Sequence, residues 1–227
     1  MRILLVGHGR MGTLVEQLAP SYDCEVAGVV DEHSSARAIE EGDFGPVDVA
    51  IDFSLPDAVA SNFRQLAARR ISVVIGTTGW QAREADLKAL AAKSGIGVMA
   101  SANFSLGVQI FQLAIEAAAG KFASHAQYGA WIHETHHAAK KDAPSGTAIM
   151  LKSAMERAGY GRTIDMSSTR AGSAPGVHTV GFDGPAEVVT FTHEVRDRAV
   201  FAHGALAAAK WLHGRCGWFT MKDMLQN

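Results

Sequence analysis

The chain has 227 residues, of which 48% are hydrophobic, and a formal net charge of −2. This length allows one large or two small domains, and the charge argues against proteins that bind nucleic acid or a membrane surface. Cys24 and Cys216 show neither a metal-binding spacing nor a disulfide framework. No signal-peptide pattern or transmembrane run is found, so we expect a cytoplasmic protein with no nucleic-acid or membrane partner.

The first part of the chain carries a dinucleotide fingerprint. Residues 2–6 are apolar and predict a buried strand, and Gly7-His8-Gly9-Arg10-Met11-Gly12 leads into a helix-like segment. A second predicted strand, residues 25–30, ends in Asp31. Strand, G-x-G-x-x-G, helix, strand and acid are the order of a Rossmann unit, in which the glycines admit a pyrophosphate and the acid meets the ribose. The predicted cofactor residues here are Gly7, Gly9, Arg10, Met11, Gly12 and Asp31.

Alternation of strands and helices continues through the first half. Strands are predicted over residues 47–53, 71–75 and 97–100, and helices over 56–69, 83–93 and 108–119. The polar turns Gly76-Thr77-Thr78 and Ser101-Ala102-Asn103-Phe104 each follow a strand. Open α/β sheets bind their ligands at such carboxyl ends.

The pattern changes after residue 126. Strands are predicted over residues 127–134, 176–182 and 187–195, with one helix over 144–158. This mixture indicates an α+β unit. The polar segment 167–175 is predicted to be a mobile loop. An alanine-rich helix over 199–213 follows, and residues 218–225 close the chain.

The segment from Ile132 to Ala148 contains most of the residues that could take part in catalysis. His136, His137, Lys140 and Lys141 precede Asp142-Ala143-Pro144-Ser145-Gly146-Thr147, which predicts a helix start with Pro in the first turn and Asp or Ser as cap. Free N–H groups at such a start favour an anion, and glycine lets it come close. The segment therefore predicts a site for a small anionic substrate that exchanges a proton; a capped helix after a polar loop is the plainer interpretation.

The same segment formally fits a zinc signature. His133-Glu134-Thr135-His136-His137 matches H-E-x-x-H, which works only on a helix. Here the pattern predicts a strand running into a loop. We therefore expect no metal, and a zinc hydrolase using His133, Glu134 and His137 stays as an alternative.

Taken together, these pieces resemble the dihydrodipicolinate (4-hydroxy-tetrahydrodipicolinate) reductase family of the lysine pathway. The likeness spans essentially the whole chain in order, and its most specific part runs from His136 to Thr147. Further matching pieces are Gly7 to Gly12, Asp52-Phe53-Ser54, Gly76 to Gly79, Ala102 to Val108, Arg198, Phe201-Ala202, Gly204-Ala205 and residues 218–225.

The resemblance implies an α/β fold in which a Rossmann-type dinucleotide-binding domain is made from both ends of the chain. That domain takes residues 1–103 and 199–227, and residues 104–198 form an inserted α+β domain for substrate binding and oligomerisation as a homotetramer. The implied reaction is the NAD(P)H-dependent reduction of the dehydrated form of 4-hydroxy-tetrahydrodipicolinate, a small cyclic dicarboxylate, to tetrahydrodipicolinate in diaminopimelate and lysine biosynthesis.

Residue roles follow from the same resemblance. His136 is the expected acid and Lys140 its catalytic partner, whereas His137, Ser145, Gly146 and Thr147 are expected to hold a substrate carboxylate. The residues expected to line the nicotinamide end of the cofactor site are Gly76, Thr77, Thr78, Ser101, Ala102, Asn103 and Phe104.

Two departures from the family pattern concern the cofactor. The glycine loop is one residue shorter than in many members, and Glu32 stands where members that use NADP often carry an arginine. Carboxylates at Asp31 and Glu32 would repel a 2′-phosphate. We therefore predict that NADH serves at least as well as NADPH. Another NAD-dependent reductase of a small acid and a non-catalytic nicotinamide sensor remain as alternatives.

Overall fold

The computed structural model describes residues 1–226. Ten strands lie in chain order: β1 Arg2–Val6, β2 Glu25–Val30, β3 Val49–Asp52, β4 Ser72–Ile75, β5 Gly97–Ala100, β6 Gly129–His136, β7 Ile164–Arg170, β8 Val177–Asp183, β9 Val188–Glu194 and β10 Gly217–Phe219. Eight α-helices accompany them: α1 Arg10–Leu18, α2 Ala38–Glu41, α3 Pro56–Ala68, α4 Glu84–Ser94, α5 Leu106–Phe122, α6 Gly146–Arg157, α7 Ala199–Leu212 and α8 Met221–Gln226. None of the helices in this part of the chain is long and apolar enough to cross a lipid bilayer.

The chain divides into two compact units. The first combines residues 1–106 with the chain from Ala199 onward, and the second is residues 107–198. The first unit holds a parallel sheet of six strands in the order β10-β5-β4-β3-β1-β2. Because helices cover both faces of such a sheet, its central strands are mostly apolar: in β1 only Arg2, and in β3 only Asp52, is charged.

Alternate residues of each strand enter different layers of the core. Ile3 and Leu5 of β1 lie in a cluster with α1 and α7, whereas Leu4 and Val6 lie with α3 and α4. Alanines on α7 let this helix approach the sheet closely. At Gly204 an added Cβ would stand only 1.6 Å from the carbonyl oxygen of Phe104, so a glycine is required there.

The second unit is built on a four-stranded sheet in the order β7-β6-β8-β9. β6 runs parallel to β7 and antiparallel to β8, and β8 runs antiparallel to β9. Apolar side chains of α5 and α6, including Ile115, Leu151 and Met155, pack with Ile132 of β6 and Phe182 of β8. The mixed α/β class predicted from the sequence is confirmed.

Two sequence expectations are wrong in this second unit. The first four residues of the predicted mobile loop, 167–170, are strand, because β7 extends to Arg170 and pairs along its length with β6. Its Ser and Thr residues are tolerated because β7 is an edge strand that leaves much of its surface in solvent. The helix predicted from Pro144 starts at Gly146 with Ser145 as cap, so Pro144 precedes the helix. In the first unit, the short α2 was not predicted.

Candidate active site

A cleft of about 330 Å³ opens at the carboxyl ends of β1 and β2. Its lining includes Gly7, Gly9 and Asp31. Gly7 has a φ of +87°, and a Cβ on Gly12 would lie 2.2 Å from its carbonyl oxygen, so both glycines shape a tight turn. Nothing lies within 4 Å of a Cβ on Gly9, and this residue caps α1 with no side chain. The helix start is thus open to a phosphate. Arg10, Met11 and Gly12 form the first turn of α1 rather than the cleft lining.

Asp31, the acid that follows β2, lines this cleft. Its Oδ1 accepts hydrogen bonds from the backbone N of His33 at 2.9 Å and from Ser34 Oγ at 3.1 Å. The bond from His33 is the main reason that the pKa of Asp31 is lowered, so the carboxylate stays charged at neutral pH. Glu32 also lines the cleft. Arg37, the nearby cation, is paired with Glu40 and Glu41 at 3.1 Å each.

A buried carboxylate joins the loops that follow β3 and β4. Asp52 accepts hydrogen bonds from the backbone N of Ser54 at 2.8 Å and from Thr77 Oγ1 at 3.3 Å. Thr77 Oγ1 also donates to the carbonyl oxygen of Ser54 at 3.1 Å. The Thr77 hydroxyl is therefore used inside the protein, whereas Thr78 beside it is exposed. Gly76 lies against the Phe53 ring: a Cβ added at Gly76 would stand 2.0 Å from a carbon of that ring.

The loop after β5 is held by its own polar groups. Ser101 Oγ donates to the carbonyl oxygen of Asn103 at 2.8 Å, and Asn103 Oδ1 accepts from the backbone N of Ser105 at 2.8 Å. Ala102 is exposed, whereas Phe104 is buried and packs edge-on against Phe53. Phe53 also lines the cleft and thus connects the two loops.

Strand alternation divides the histidine-rich segment between two faces of the second sheet. Glu134 and His136 of β6 are buried, and His133 faces the other side, where its ring lies 2.9 Å from Ser167 Oγ. The zinc-hydrolase arrangement of His133, Glu134 and His137 is therefore excluded, because the motif lies on a strand rather than on a helix.

Glu134 is fully buried and makes three hydrogen bonds through one oxygen. Oε1 accepts from the backbone N of Ser145 at 2.9 Å, from Ser168 Oγ at 2.7 Å and from Arg170 Nη2 at 2.7 Å. Burial raises the pKa of this carboxyl, but the hydrogen bonds outweigh it and bring the pKa down to about 2. Glu134 is therefore an anion at neutral pH.

Two buried histidines face the other oxygen. Glu134 Oε2 lies 3.4 Å from His136 Nδ1 and 3.5 Å from His178 Nε2, and the two rings stand edge to face. Burial lowers the pKa of His136; Glu134 opposes this, and Lys140 and Arg170 add to it. Burial also lowers the pKa of His178, to about 4. Ligand atoms of these three residues lie within 4.8 Å of one another, as in a metal site, but the Arg170 guanidinium on the same carboxylate opposes a divalent cation.

The loop after β6 presents two further polar side chains. Lys140 Nζ is paired with both carboxylate oxygens of Asp142, at 2.6 and 2.8 Å. His137 Nε2 lies 3.4 Å from Arg198 Nη2. Arg170, besides binding Glu134, donates to the carbonyl oxygen of Asp142 at 2.6 Å and so ties this loop to β7.

The start of α6 is open to an anion. Ser145 Oγ accepts from the backbone N of Ala148 at 3.2 Å and thereby caps the helix. Within residues 1–226, no acceptor lies against the N–H groups of Gly146 and Thr147. A Cβ on the exposed Gly146 would have no atom within 4 Å, so a ligand can reach these amides.

Comparison with known proteins accounts for nearly the whole chain. Residues 1–104 match the family described as "Dihydrodipicolinate reductase, N-terminus", and residues 107–225 match its C-terminal counterpart. The chain belongs to the dihydrodipicolinate reductase family. This reductase is therefore an NAD(P)H-dependent oxidoreductase of lysine and diaminopimelate biosynthesis, as the sequence predicted.

Individual relatives agree with this assignment. The reductase is 33% identical to a 4-hydroxy-tetrahydrodipicolinate reductase from Christiangramia forsetii, over all of this chain and 98% of the relative. Identity to the enzyme of the same name from Methanoregula boonei is 37%, over 96% of this chain and 94% of the relative. A solved structure, a dipicolinate-bound dihydrodipicolinate reductase from Paenisporosarcina sp. TG-14, shares the fold with a TM-score of 0.81 at 20% identity, and the match covers 97% of each chain.

Sequence reasoning missed several residues around the reductase's histidine. Ser168, Arg170 and His178 were not selected, and Glu134 was noted only within the zinc pattern. The register of the sheet brings them together, since Glu134 is opposite Ser168 on β7 and His178 on β8. Arg170 is likewise opposite His136. Ionisable residues at the alternate positions 134 and 136 are the signal that could have indicated such a cluster, had the predicted strand been extended to His136.

Proposed function

We propose that this chain reduces the dehydrated form of 4-hydroxy-tetrahydrodipicolinate to tetrahydrodipicolinate, with NADH or NADPH as reductant. The observation that carries the proposal is a buried histidine–carboxylate pair joined by Ser145 to a helix start with two free N–H groups. Such a site offers both an anion-binding position and a proton. The dipicolinate named for the similar solved structure is a cyclic dicarboxylate of the expected class.

Substrate binding is proposed at the start of α6. The N–H groups of Gly146 and Thr147, together with the positive end of the helix, would hold one carboxylate. Ser145 sets their orientation by capping the helix. His137 and Lys140 would meet the same charge. Because Lys140 is paired with Asp142, the substrate has to take the place of Asp142.

Proton delivery is proposed for His136. When bound, the reduced nicotinamide supplies a hydride to a ring carbon, after which the electron-rich ring nitrogen or enamine carbon takes a proton. The pKa of His136 is lowered, chiefly by burial, so its imidazolium readily gives up a proton. Binding of a dicarboxylate beside the ring raises the pKa of His136, and the histidine is thereby protonated before it acts as the acid. Lys140 supports the histidine as its catalytic partner.

The cofactor site is proposed in the first unit. Gly7, Gly9 and the first turn of α1, with Arg10, Met11 and Gly12, would hold the pyrophosphate, and Asp31 the ribose hydroxyls. The loops Gly76-Thr77-Thr78 and Ser101-Ala102-Asn103-Phe104 would line the nicotinamide end. Arg37 is engaged by Glu40 and Glu41, which favours NADH as at least an equal of NADPH.

Assembly and compartment are proposed on family grounds. A cytoplasmic homotetramer, formed through the sheet of residues 104–198, is the arrangement that the family resemblance implies. The alternating exposure along β9, with Val188 52% exposed, is compatible with such an interface. Light scattering on the purified protein measures its oligomeric state directly.

A coupled assay tests the central proposal. The lysine-pathway synthase generates the substrate in place, and loss of reduced nicotinamide is followed with NADH and with NADPH. Turnover that depends on the synthase is expected. If neither nucleotide is consumed, the proposed reaction is refuted.

A further inference from the structure

One oxygen of the buried Glu134 carboxylate is left without a hydrogen bond. Oε1 takes three donors, whereas Oε2 has none among the described residues and is fully shielded from solvent. A buried anionic oxygen without a donor is costly. Its neighbours are His136 Nδ1 and His178 Nε2, at 3.4 and 3.5 Å.

The other partners of the two histidines indicate which one is the donor. His178 Nε2 has Ser145 Oγ as a nearer partner, 3.1 Å away. His136 Nδ1 is buried and has no hydrogen-bond partner among the described residues, and Glu134 Oε2 is the acceptor beside it. His136 Nδ1 remains as the donor for Glu134 Oε2.

We infer that Glu134 is a positioning residue, which holds the Nδ1–H of His136 so that Nε2 faces the substrate. This inference rests on the proposed role of His136 as the acid. A separation of 3.4 Å is long for a hydrogen bond, and such contacts commonly tighten when the substrate binds. The carboxylate fixes one tautomer of the ring and stabilises its charged form.

The space beside His136 Nε2 agrees with this orientation. The backbone of Gly176 lies next to that nitrogen, and an added Cβ there would stand 3.1 Å from it. Because Gly176 carries no side chain, the outer nitrogen is left uncovered. Nε2 is thus the atom of the ring that can reach a ligand.

Charges from every neighbouring element act on this ring. Glu134 and Asp142 raise the pKa of His136, whereas Lys140, Arg170 and above all burial lower it. From β8, His178 faces it edge-on, and His193 of β9 acts on His178. Glu134 is the anion in contact with the ring, so its removal lowers the pKa of His136 further.

Glu134→Gln, which keeps the side-chain volume, provides the test. We expect kcat to fall by about 10- to 100-fold with substrate KM and NADH affinity within about threefold, since a positioned acid is worth about 10²–10⁴. The high-pH limb of the kcat profile should move about one unit toward acid. Glu134→Asp should return the limb toward wild type. Asp165→Asn, which removes an exposed carboxylate from β7, should not move it.

A spectroscopic reading is independent of turnover. Imidazole ¹⁵N shifts should show Nδ1–H on neutral His136 in the wild type and a loss of that preference in Glu134→Gln. An Nε2–H tautomer in the wild type would overturn the inference. So would an unmoved pH limb with raised KM and a lowered melting temperature, which is the result expected of a purely structural residue.

Two further measurements separate the possible failures. In a His136→Gln background, Glu134→Gln should change kcat little more, because the pair acts as one unit. If His136→Gln alone keeps full kcat while the tautomer is as expected, the proposed acid fails and the positioning contact stands. Stoichiometric binding of Zn²⁺ by calorimetry, abolished by Glu134→Gln, would replace the inference with a metal site.

Discussion

Lys140 Nζ lies 2.6 Å from Asp142 Oδ1, in a loop whose lysine is proposed to meet substrate. The pair is partly exposed, so its strength is modest. We predict that Asp142→Asn lowers substrate KM by about two- to fivefold, because the substrate carboxylate no longer has to compete with the Asp142 carboxylate for Lys140. Glu156→Gln, which breaks the exposed ion pair with Lys152 on α6, is the matched control and should leave KM unchanged. A raised KM in Asp142→Asn would mean that Asp142 orients Lys140.

The two adjacent histidines are predicted to differ in kinetics. His136→Gln should lower kcat by about 10²–10⁴ with little change in KM, as for a lost general acid. His137→Gln should chiefly raise KM, since it lies beyond the end of β6 and outside the Glu134 cluster. Lys140→Ala should lower kcat/KM further than His136→Gln. Steady-state kinetics over the pH range, with nucleotide affinity by calorimetry, measures these effects; a His136→Gln enzyme with most of its kcat would reduce the histidine to a binding group.

Gly146→Val should raise substrate KM by more than about tenfold and leave NADH affinity nearly unchanged. A Cβ at Gly146 meets nothing in the protein, so any loss arises from the ligand that must approach the amides. Gly161→Val is the control, because it is also exposed, in the same unit, with no atom near its Cβ. Thr147→Val removes the side-chain hydroxyl and keeps the backbone N–H, so it shows how much of the substrate binding depends on the hydroxyl. Equal losses of substrate and nucleotide binding would assign the helix a structural role only.

Cofactor preference should respond to the acidic residues that follow β2. NADH is expected to give a kcat/KM at least equal to that with NADPH, because Asp31 and Glu32 repel a 2′-phosphate and Arg37 is engaged elsewhere. Glu32→Arg should shift the ratio toward NADPH. Glu84→Arg, on a helix outside the cleft lining, controls for net charge. A wild type that strongly prefers NADPH would contradict this interpretation.

Acid should destabilise the fold through His178. Its pKa falls from 6.5 to about 4 on folding, so the unfolded chain binds this proton first and stability declines as pH drops through that window. A shift of this size corresponds to roughly 3 kcal/mol when the transition is complete. In His178→Gln, urea unfolding between pH 6.5 and 4.5 should show a shallower dependence on pH. The lowered pKa of His136 acts in the same direction and leaves a residual slope. An unchanged slope would show that His178 is not held neutral.

The first unit could be predicted almost entirely because its signals are local. The apolar strands around Gly7, Gly76 and Ser101 are each followed by a helix, and the fingerprint at Gly7 to Gly12 fixes their class. The second unit was harder. The sequence of β7 predicts a polar loop, because Ser167, Ser168 and Thr169 are polar. An edge strand tolerates such residues. The partners of Glu134 are 34, 36 and 44 positions away along the chain and meet it only through strand register, which a single sequence does not encode locally.

The interleaving of the first unit affects how this protein is made. Ile3, Leu5 and Met99 share their core with Ala202, Ala205 and Leu206 of α7, which leave the ribosome after the entire second unit. During synthesis, the face of the amino-terminal strands that packs against α7 therefore stays exposed until α7 has been made. Residues 107–198, by contrast, can already form a core of their own. A nascent chain halted before Ala199 should accordingly depend on chaperone protection, and release of the last helices should end that dependence.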